Sequence, residues 1–183
     1  RMGRPKALLP IDGQTFIERI VGALKESGIR RIIVVLGHNA EEMRRRIEHL
    51  PVEIIVNPDY KQGQLSSLQT AICHLQPRTD CDGMLVHLVD HPYIDAKLVR
   101  VMLERFQATQ PPIVVPRHDG KRGHPVIFSK KLFQELLDAP MDVGAKAVVN
   151  AHRAETLEID SEDVGITLDI DPPEFYRQHV KGE

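Results

Sequence analysis

A chain of 183 residues is long enough to bury a substantial hydrophobic core, and we expect residues 1–183 to form a single domain. Hydrophobic residues make up 42% and charged residues 27% of the chain, which is the balance of an ordinary globular protein. The formal net charge of −2 gives no basic excess, so nucleic acid is not expected as a partner. No apolar run approaches the roughly 20 residues of a membrane-spanning helix, so no membrane partner is expected either.

The two cysteines, Cys73 and Cys81, have neither metal-site spacing nor the pattern of a disulfide framework. Such cysteine usage favours a reducing compartment, and no signal peptide is evident. We therefore expect the protein in the cytoplasm.

Helical and strand patterns alternate along the chain, which predicts an α/β fold with helices on both faces of a sheet. Helices are predicted at residues 16–24, 40–49, after 63, 95–107, 130–137, 144–151 and 174–180. Strands are predicted at residues 32–36, 52–56, 84–89, 113–115, 126–128, 155–159 and 167–170. Neither an internal repeat nor a linker interrupts this order.

The first ten residues, RMGRPKALLP, have the composition of half of a phosphate-binding loop. Gly3 allows the backbone to approach phosphates closely, while Arg1 and Lys6 can neutralise their charge. A short basic segment of this kind is also common as a solvated tail.

The segment from Gly63 to Leu68 is a turn that leads into a helix. Its backbone N–H groups, together with Gln64 and the hydroxyl of Ser66 or Ser67, could contact a nucleotide base or a phosphate. The alternative is a plain N-cap, in which a serine hydroxyl only begins the helix.

Two groups of carboxylates are candidates for metal binding. Asp90 follows an apolar strand, and ligands of open α/β sheets lie at the carboxyl ends of strands. Asp169 and Asp171 alternate with Ile170, which puts both carboxylates on one face of a predicted strand. Together they could hold one Mg²⁺, although Asp90 and Asp171 would also serve as capping residues.

A glycine-rich basic turn, DGKRGHP, spans residues 119–125. It could close over an anionic acceptor, or it could be an exposed hairpin with solvated charges and a structural histidine at position 124.

In chain order, these segments resemble the MobA-like nucleotidyltransferases, and within them the molybdenum cofactor cytidylyltransferase branch. The segments that match are residues 1–10, 57–60 with 63–68, 89–92, 120–125, 142–145 and 168–172. They span nearly the whole chain. His91 stands where that family often has Gln or Met, which we interpret as tolerated variation.

The resemblance implies a three-layer α/β/α, Rossmann-like nucleotidyltransferase fold with a mostly parallel, mixed sheet. It also implies that a strand and a small-residue loop precede the Arg-Met-Gly segment. Neither is present in this sequence, so the first strand of the sheet is expected to be missing from this chain.

By position, the resemblance assigns triphosphate binding to Arg1 and Lys6 and base recognition to Gly63, Gln64 and the serines. It also assigns Asp90 and Asp171, and less firmly Asp169, as ligands of Mg²⁺. The part that faces the acceptor is the turn formed by Gly123, His124 and Pro125.

The function implied is transfer of CMP from CTP to the phosphate of molybdopterin-bound molybdenum, with release of pyrophosphate. Alternatives in the same class use GTP, a sugar phosphate or another small phosphate. A non-catalytic carrier that hands the molybdenum cofactor to a molybdoenzyme is an alternative of another class. A dinucleotide-dependent oxidoreductase is disfavoured, because the chain has no G-x-G-x-x-G between a strand and a helix.

Overall fold

The computed structural model describes residues 5–77 and 80–170. Arg1, Gly3, Asp171 and the predicted helix at 174–180 therefore lie outside the described residues.

The chain enters the fold through a small hairpin that the sequence analysis did not predict. Strands β1 (Pro10–Ile11) and β2 (Gln14–Thr15) pair antiparallel around Asp12 and Gly13. Both turn residues have positive φ, 47° and 78°, which is the geometry of a tight hairpin turn. The Asp-Gly pair was the signal for this hairpin, and its apolar flanks are too short to give an alternating strand pattern.

Helix α1 (Phe16–Glu26) begins at a capping box. The Thr15 hydroxyl accepts a hydrogen bond from the Glu18 N–H, and the Glu18 carboxylate accepts one from the Thr15 N–H at 2.7 Å. The five apolar residues of the predicted helix form its buried face: Phe16, Ile17, Ile20, Val21 and Leu24. The helix ends before Gly28, as its stop signal predicted.

The next elements form a parallel pair of strands joined by a helix. They are β3 (Ile33–Leu36), α2 (Ala40–Ile47) and β4 (Glu53–Val56). A three-residue 3-10 turn at Tyr60–Gln62 then leads into α3 (Gln64–Leu75).

The second half of the chain builds a larger, mixed sheet. Its helices are α4 (Ala96–Thr109), α5 (Phe133–Leu137) and α6 (Lys146–Ala151). Its strands are β5 (Gly83–Val86), β6 (Ile113–His118), β7 (Lys121–Arg122), β8 (Val126–Ser129) and β9 (Thr156–Asp160). Strand β8 pairs antiparallel with both β5 and β6, β7 pairs antiparallel with β6, and β9 runs parallel to β6. The predicted α/β fold with a mixed sheet is confirmed.

A gap separates the two sheets. No hydrogen-bond ladder joins β3 to β5 among the described strands. A cavity of about 1530 Å³ lies between them, lined by Val34 and Leu36 of one strand and by Met84 and Val86 of the other.

Two predicted strands differ from the structure. Strand β5 ends at Val86 rather than at Val89, because the chain turns there: the His91 N–H donates to the Leu88 carbonyl at 3.2 Å. Residues 167–170 were wrongly predicted as a strand. The structure has a 3-10 turn at Val164–Thr167, begun by an Asp163 carboxylate that accepts from the Gly165 N–H at 2.7 Å, and no strand follows it up to residue 170.

Within the described ranges, no helix is long and apolar enough to cross a membrane.

Candidate active site

Asp90 lies in a turn that a histidine side chain holds in place. The His87 ring donates from Nε2 to the His91 backbone carbonyl at 2.8 Å, which closes residues 87–91 into a compact turn. From the other side, the Ile170 N–H donates to the Asp90 carbonyl at 2.9 Å. The Asp90 backbone is therefore fixed on both sides, and its carboxylate remains available.

Four polar side-chain atoms are buried without a hydrogen-bond partner in the described part of the chain. They are Asp90 Oδ1 and the Nδ1 atoms of His87, His91 and His124. All four lie together, because the three ring centroids are 4.9 to 6.4 Å apart and His91 adjoins Asp90. Buried polar atoms are normally paired, so this group indicates a place where a ligand supplies the missing interactions.

Burial keeps two of these histidines neutral. The pKa of His87 is lowered to about 4, mainly by loss of solvent and to a smaller extent by the neighbouring imidazoles. Burial likewise lowers the pKa of His124 to about 4, with a smaller contribution from His91. Neither ring opposes the approach of a cation at neutral pH. Since the His87 Nε2 carries its proton towards the His91 carbonyl, His87 Nδ1 has a free lone pair.

The segment after β9 crosses the same turn. Ile170 is almost fully buried, whereas Asp169 is exposed and lies next to the residue that hydrogen-bonds Asp90. The structure thus brings Asp169 close to Asp90 along the backbone, although 79 residues separate them in sequence. The other predicted ligand, Asp171, lies outside the described residues.

The loop before α3 is organised by Asn57, which the sequence analysis did not single out. Asn57 is buried, and its amide donates to the Ser66 hydroxyl at 2.8 Å and to the Ser67 hydroxyl at 3.0 Å. The Ser66 hydroxyl in turn donates to the Gly63 carbonyl at 2.8 Å, and the Asp59 carbonyl lies 3.1 Å from it as a second acceptor. The Ser66 hydroxyl thus closes the loop from inside.

Neither serine is an N-cap, so that alternative is wrong. The N-cap is Gly63, with a φ of 101° and no side-chain capping bond, and both serines lie in the first turn of α3. Gln64 is exposed and lines the cavity together with Ser67. Gln64, Ser67 and the uncapped N–H groups are therefore the parts of this segment that a nucleotide can reach.

Of the predicted triphosphate cations, Lys6 is described. It begins a 3-10 turn, Lys6–Leu8, and its side chain is half-buried. The next residue, Ala7, lines the cavity, so the turn lies at its wall. Arg1 and Gly3 belong to the undescribed residues.

The turn predicted to face the acceptor is packed into the protein. The Gly123 N–H donates to the Pro116 carbonyl and the His124 N–H to the Ile166 carbonyl, both at 2.9 Å. Pro125 is buried, and the His124 ring lines the cavity. Of the three residues, His124 presents the side chain that a ligand in the cavity can meet.

The arginine of this turn is paired with a carboxylate. Arg122 pairs with Glu158 on β9 at 2.7 Å, and Arg117 pairs with the same carboxylate at 2.8 Å. The turn is therefore neither an anion-binding loop with its arginine available nor a hairpin whose charges are all solvated.

One cavity brings the predicted and unpredicted polar groups together. Its lining includes Gln64, Ser67, His87, Asp90 and His124. Within residues 5–77 and 80–170, no three His, Cys, Asp or Glu side chains form a ready-made metal site. The buried, unpaired oxygen of Asp90 nevertheless suits a divalent cation that takes one or two protein ligands and the rest from phosphate and water.

Comparison with known proteins gives two relatives of similar rank. The chain is 28% identical over 178 residues to the molybdenum cofactor cytidylyltransferase of Escherichia coli K12, which covers 96% of this chain and 87% of the relative. It is 29% identical over 192 residues to the nicotine blue oxidoreductase of Paenarthrobacter nicotinovorans, with coverage of 97% and 89%.

Among solved structures, Rv0371c of Mycobacterium tuberculosis H37Rv superposes with a TM-score of 0.84 at 26% identity, covering 98% of this chain and 90% of that one. Its complex with manganese superposes with a TM-score of 0.79 at 26% identity, covering 97% and 92%. The whole described fold is therefore shared.

The family profile of the MobA-like NTP transferase domain matches residues 1–156, which include the Lys6 turn, the Gly63 loop, Asp90 and the His124 turn. The chain therefore belongs to the MobA-like NTP transferase domain family.

Proposed function

We propose that this nucleotidyltransferase transfers CMP from CTP to the phosphate of molybdopterin-bound molybdenum and releases pyrophosphate. The observation that supports it best is the unpaired, buried Asp90 oxygen in the wall of a cavity that Gln64 and Ser67 also line. This arrangement suits a base at one segment and a metal-bridged triphosphate at the other. The similarity to the E. coli cytidylyltransferase supports the choice of substrate.

The proposed chemistry is an in-line attack of the acceptor's phosphate oxygen on the α-phosphate of the nucleotide. A divalent cation, when bound, would neutralise phosphate charge. Asp90 would hold it, with Asp169 and Asp171 as further ligands from the segment that crosses the Asp90 turn. We propose Mg²⁺, and the manganese complex of Rv0371c supports a divalent site in this fold.

The remaining residues would position the reactants. Lys6, together with Arg1 and Gly3 of the same sequence segment, would bind the leaving pyrophosphate, where positive charge matters most as negative charge builds. Gln64 and the Ser67 hydroxyl would read the base, and Asn57 would keep that hydroxyl oriented by its 3.0 Å hydrogen bond. His124, with Gly123 and Pro125 fixing its backbone, would face the acceptor.

The test is pyrophosphate release from each of the four NTPs, with Mg²⁺, with and without a molybdopterin acceptor. We expect release from CTP well ahead of GTP, because a site that hydrogen-bonds its base discriminates strongly when polar groups are left unpaired. Preference for GTP would instead assign the protein as a guanylyltransferase. Tight pterin binding without pyrophosphate from any NTP would assign it as a carrier that serves a molybdoenzyme.

A second candidate function is an oxidoreductase. The 29% identity to the nicotine blue oxidoreductase over 97% of this chain supports it about as strongly as the first relative supports cytidylyl transfer. The same preparations can be tested for oxidation of NADH and NADPH with an organic acceptor. Cofactor oxidation in the absence of any pyrophosphate release would favour this second function.

A further inference from the structure

The cation at Asp90 has a second protein donor within reach that the family resemblance did not assign. The His91 Nε2 and Asp90 Oδ1 atoms are 4.0 Å apart, which is too long for a hydrogen bond. A divalent first-row metal bonds imidazole nitrogen and carboxylate oxygen at about 2.0–2.2 Å each. Neighbouring ligands of one such ion lie about 3.0–3.4 Å apart, so a side-chain shift of less than about 1 Å would bring both atoms onto the same ion.

The surroundings favour a cation between these two atoms. Asp90 Oδ1 is buried without a partner, and His91 is itself buried, with its side chain 11% exposed. The rings of His87 and His124 adjoin that of His91, with centroid distances of 6.4 and 4.9 Å. The Asp90 carboxylate is the anionic group of this cluster.

We propose that His91 Nε2 and Asp90 Oδ1 bind the divalent cation jointly, so that a transition metal ion binds there with higher affinity than the Mg²⁺ proposed to serve nucleotidyl transfer. The inference rests on the proposed metal site at Asp90. Imidazole nitrogen binds first-row transition ions strongly, whereas Mg²⁺ is held by oxygen ligands. His91 thereby acquires a role as a selectivity ligand, in place of the tolerated variation that the sequence suggested.

The first experiment is a binding titration of the tag-free protein with Co²⁺ alone, followed by competition with Mg²⁺. In His91→Gln we expect Co²⁺ affinity to fall about tenfold or more, with Mg²⁺ affinity changed less than about threefold. Asp90→Asn should lose both ions. His49→Gln is the matched control, because His49 is an exposed histidine that contacts Glu18 on α1 at 3.2 Å. Equal losses for Co²⁺ and Mg²⁺ in His91→Gln, or none for either, would overturn the proposal.

The second experiment detects the ligand itself. A coordinated imidazole nitrogen modulates the electron spin echo of bound Mn²⁺, so pulsed EPR should show nitrogen modulation in the native protein and in His49→Gln. The modulation should be absent from His91→Gln and from His91→Met, which serves if the first variant fails to fold. Nitrogen modulation that persists in both variants would assign the ligand to another histidine and overturn the proposal.

These readouts separate the inference from the proposed function. If no NTP yields pyrophosphate but the selective loss of Co²⁺ and of nitrogen modulation is seen, the nucleotidyl transfer proposal fails and the metal pair stands. If CTP turnover with Mg²⁺ is normal and Co²⁺ affinity is unchanged in His91→Gln, the joint binding by Asp90 and His91 is refuted and the proposed function is not.

Discussion

At the scale of single residues, Asp90 combines a fixed backbone with an unsatisfied side chain. Hydrogen bonds from His87 to the His91 carbonyl and from Ile170 to the Asp90 carbonyl hold the turn, at 2.8 and 2.9 Å. None of these bonds involves the carboxylate. Removing its charge should therefore affect ligand binding far more than folding.

We predict that Asp90→Asn lowers divalent-dependent turnover roughly 10²-fold or more, because a metal contributes several kcal/mol of charge stabilisation at a phosphoryl group. Turnover and the thermal midpoint should be measured side by side. Asp119→Asn is the control, since Asp119 is an exposed hairpin residue with a positive φ that Asn tolerates. A fall in turnover that merely follows a loss of the folded state would contradict a role as metal ligand.

Lys6 is half-buried and immediately precedes Ala7, which lines the cavity. We predict that Lys6→Ala lowers kcat more than it raises KM, because its charge should act mainly as charge develops on pyrophosphate. Steady-state kinetics with CTP separates the two effects. The role would be refuted by an unchanged kcat together with a raised KM. Lys25→Ala is a suitable control, since that amine binds the Arg30 carbonyl on the surface.

At the scale of elements, the turn with His124 depends on close packing against the segment that follows β9. A Cβ atom at Gly123 would collide with the backbone carbonyl of Ile166, the same carbonyl that accepts from the His124 N–H. Because glycine has no side chain, the backbones of the two segments can pack in direct contact at position 123.

We predict that Gly123→Ala lowers the free energy of unfolding by about 1–3 kcal/mol, because the backbone must shift to relieve the collision. Gly22→Ala on α1 is the matched control: a Cβ there meets no atom within 4 Å, and replacing Gly in a helix should stabilise by about 0.5–1 kcal/mol. Urea unfolding of both variants measures the difference. Equal stability of Gly123→Ala and the native protein would show that the segments separate easily.

At the scale of the whole molecule, the buried histidines couple stability to pH. His87 and His124 have folded-state pKa values of about 4, below the ordinary histidine value of 6.5. Between these values the unfolded chain binds protons that the folded chain does not. Stability should therefore fall as the pH drops from about 6.5 towards 4.

We predict a loss of about 2 kcal/mol per histidine between pH 7 and pH 5, measured by urea unfolding in EDTA. His124→Gln should reduce this loss. His152 supplies a contrast, since the hydrogen bonds that its ring donates to the carboxylates of Glu135 and Glu155 raise its pKa. The contribution of His152 to stability is complete below the pKa of the unfolded chain and is lost as the pH rises through the folded-state pKa. The loss of stability between pH 7 and pH 5 should therefore persist in His152→Gln. A flat stability profile from pH 7 to pH 5 would contradict neutral burial of the histidines.

Much of the architecture was accessible from the sequence. Apolar spacing located α1 with its buried face, and β3, β4 and β8 to within about two residues. These predictions succeeded because an element that packs on one face repeats its apolar residues at the period of its own geometry. The order of the motifs indicated the family that the profile over residues 1–156 confirms.

Tertiary structure alone decided how the site is assembled. His87, His91 and His124 come from two separate turns, and Ile170 reaches Asp90 from a third segment. No local sequence pattern predicts these contacts, because they depend on how whole elements pack. The sequence by itself therefore determined most of the elements, the family and most of the residues proposed for the site. Only the folded chain placed an imidazole opposite the unpaired oxygen of Asp90, since burial and distance arise from contacts between residues far apart in sequence.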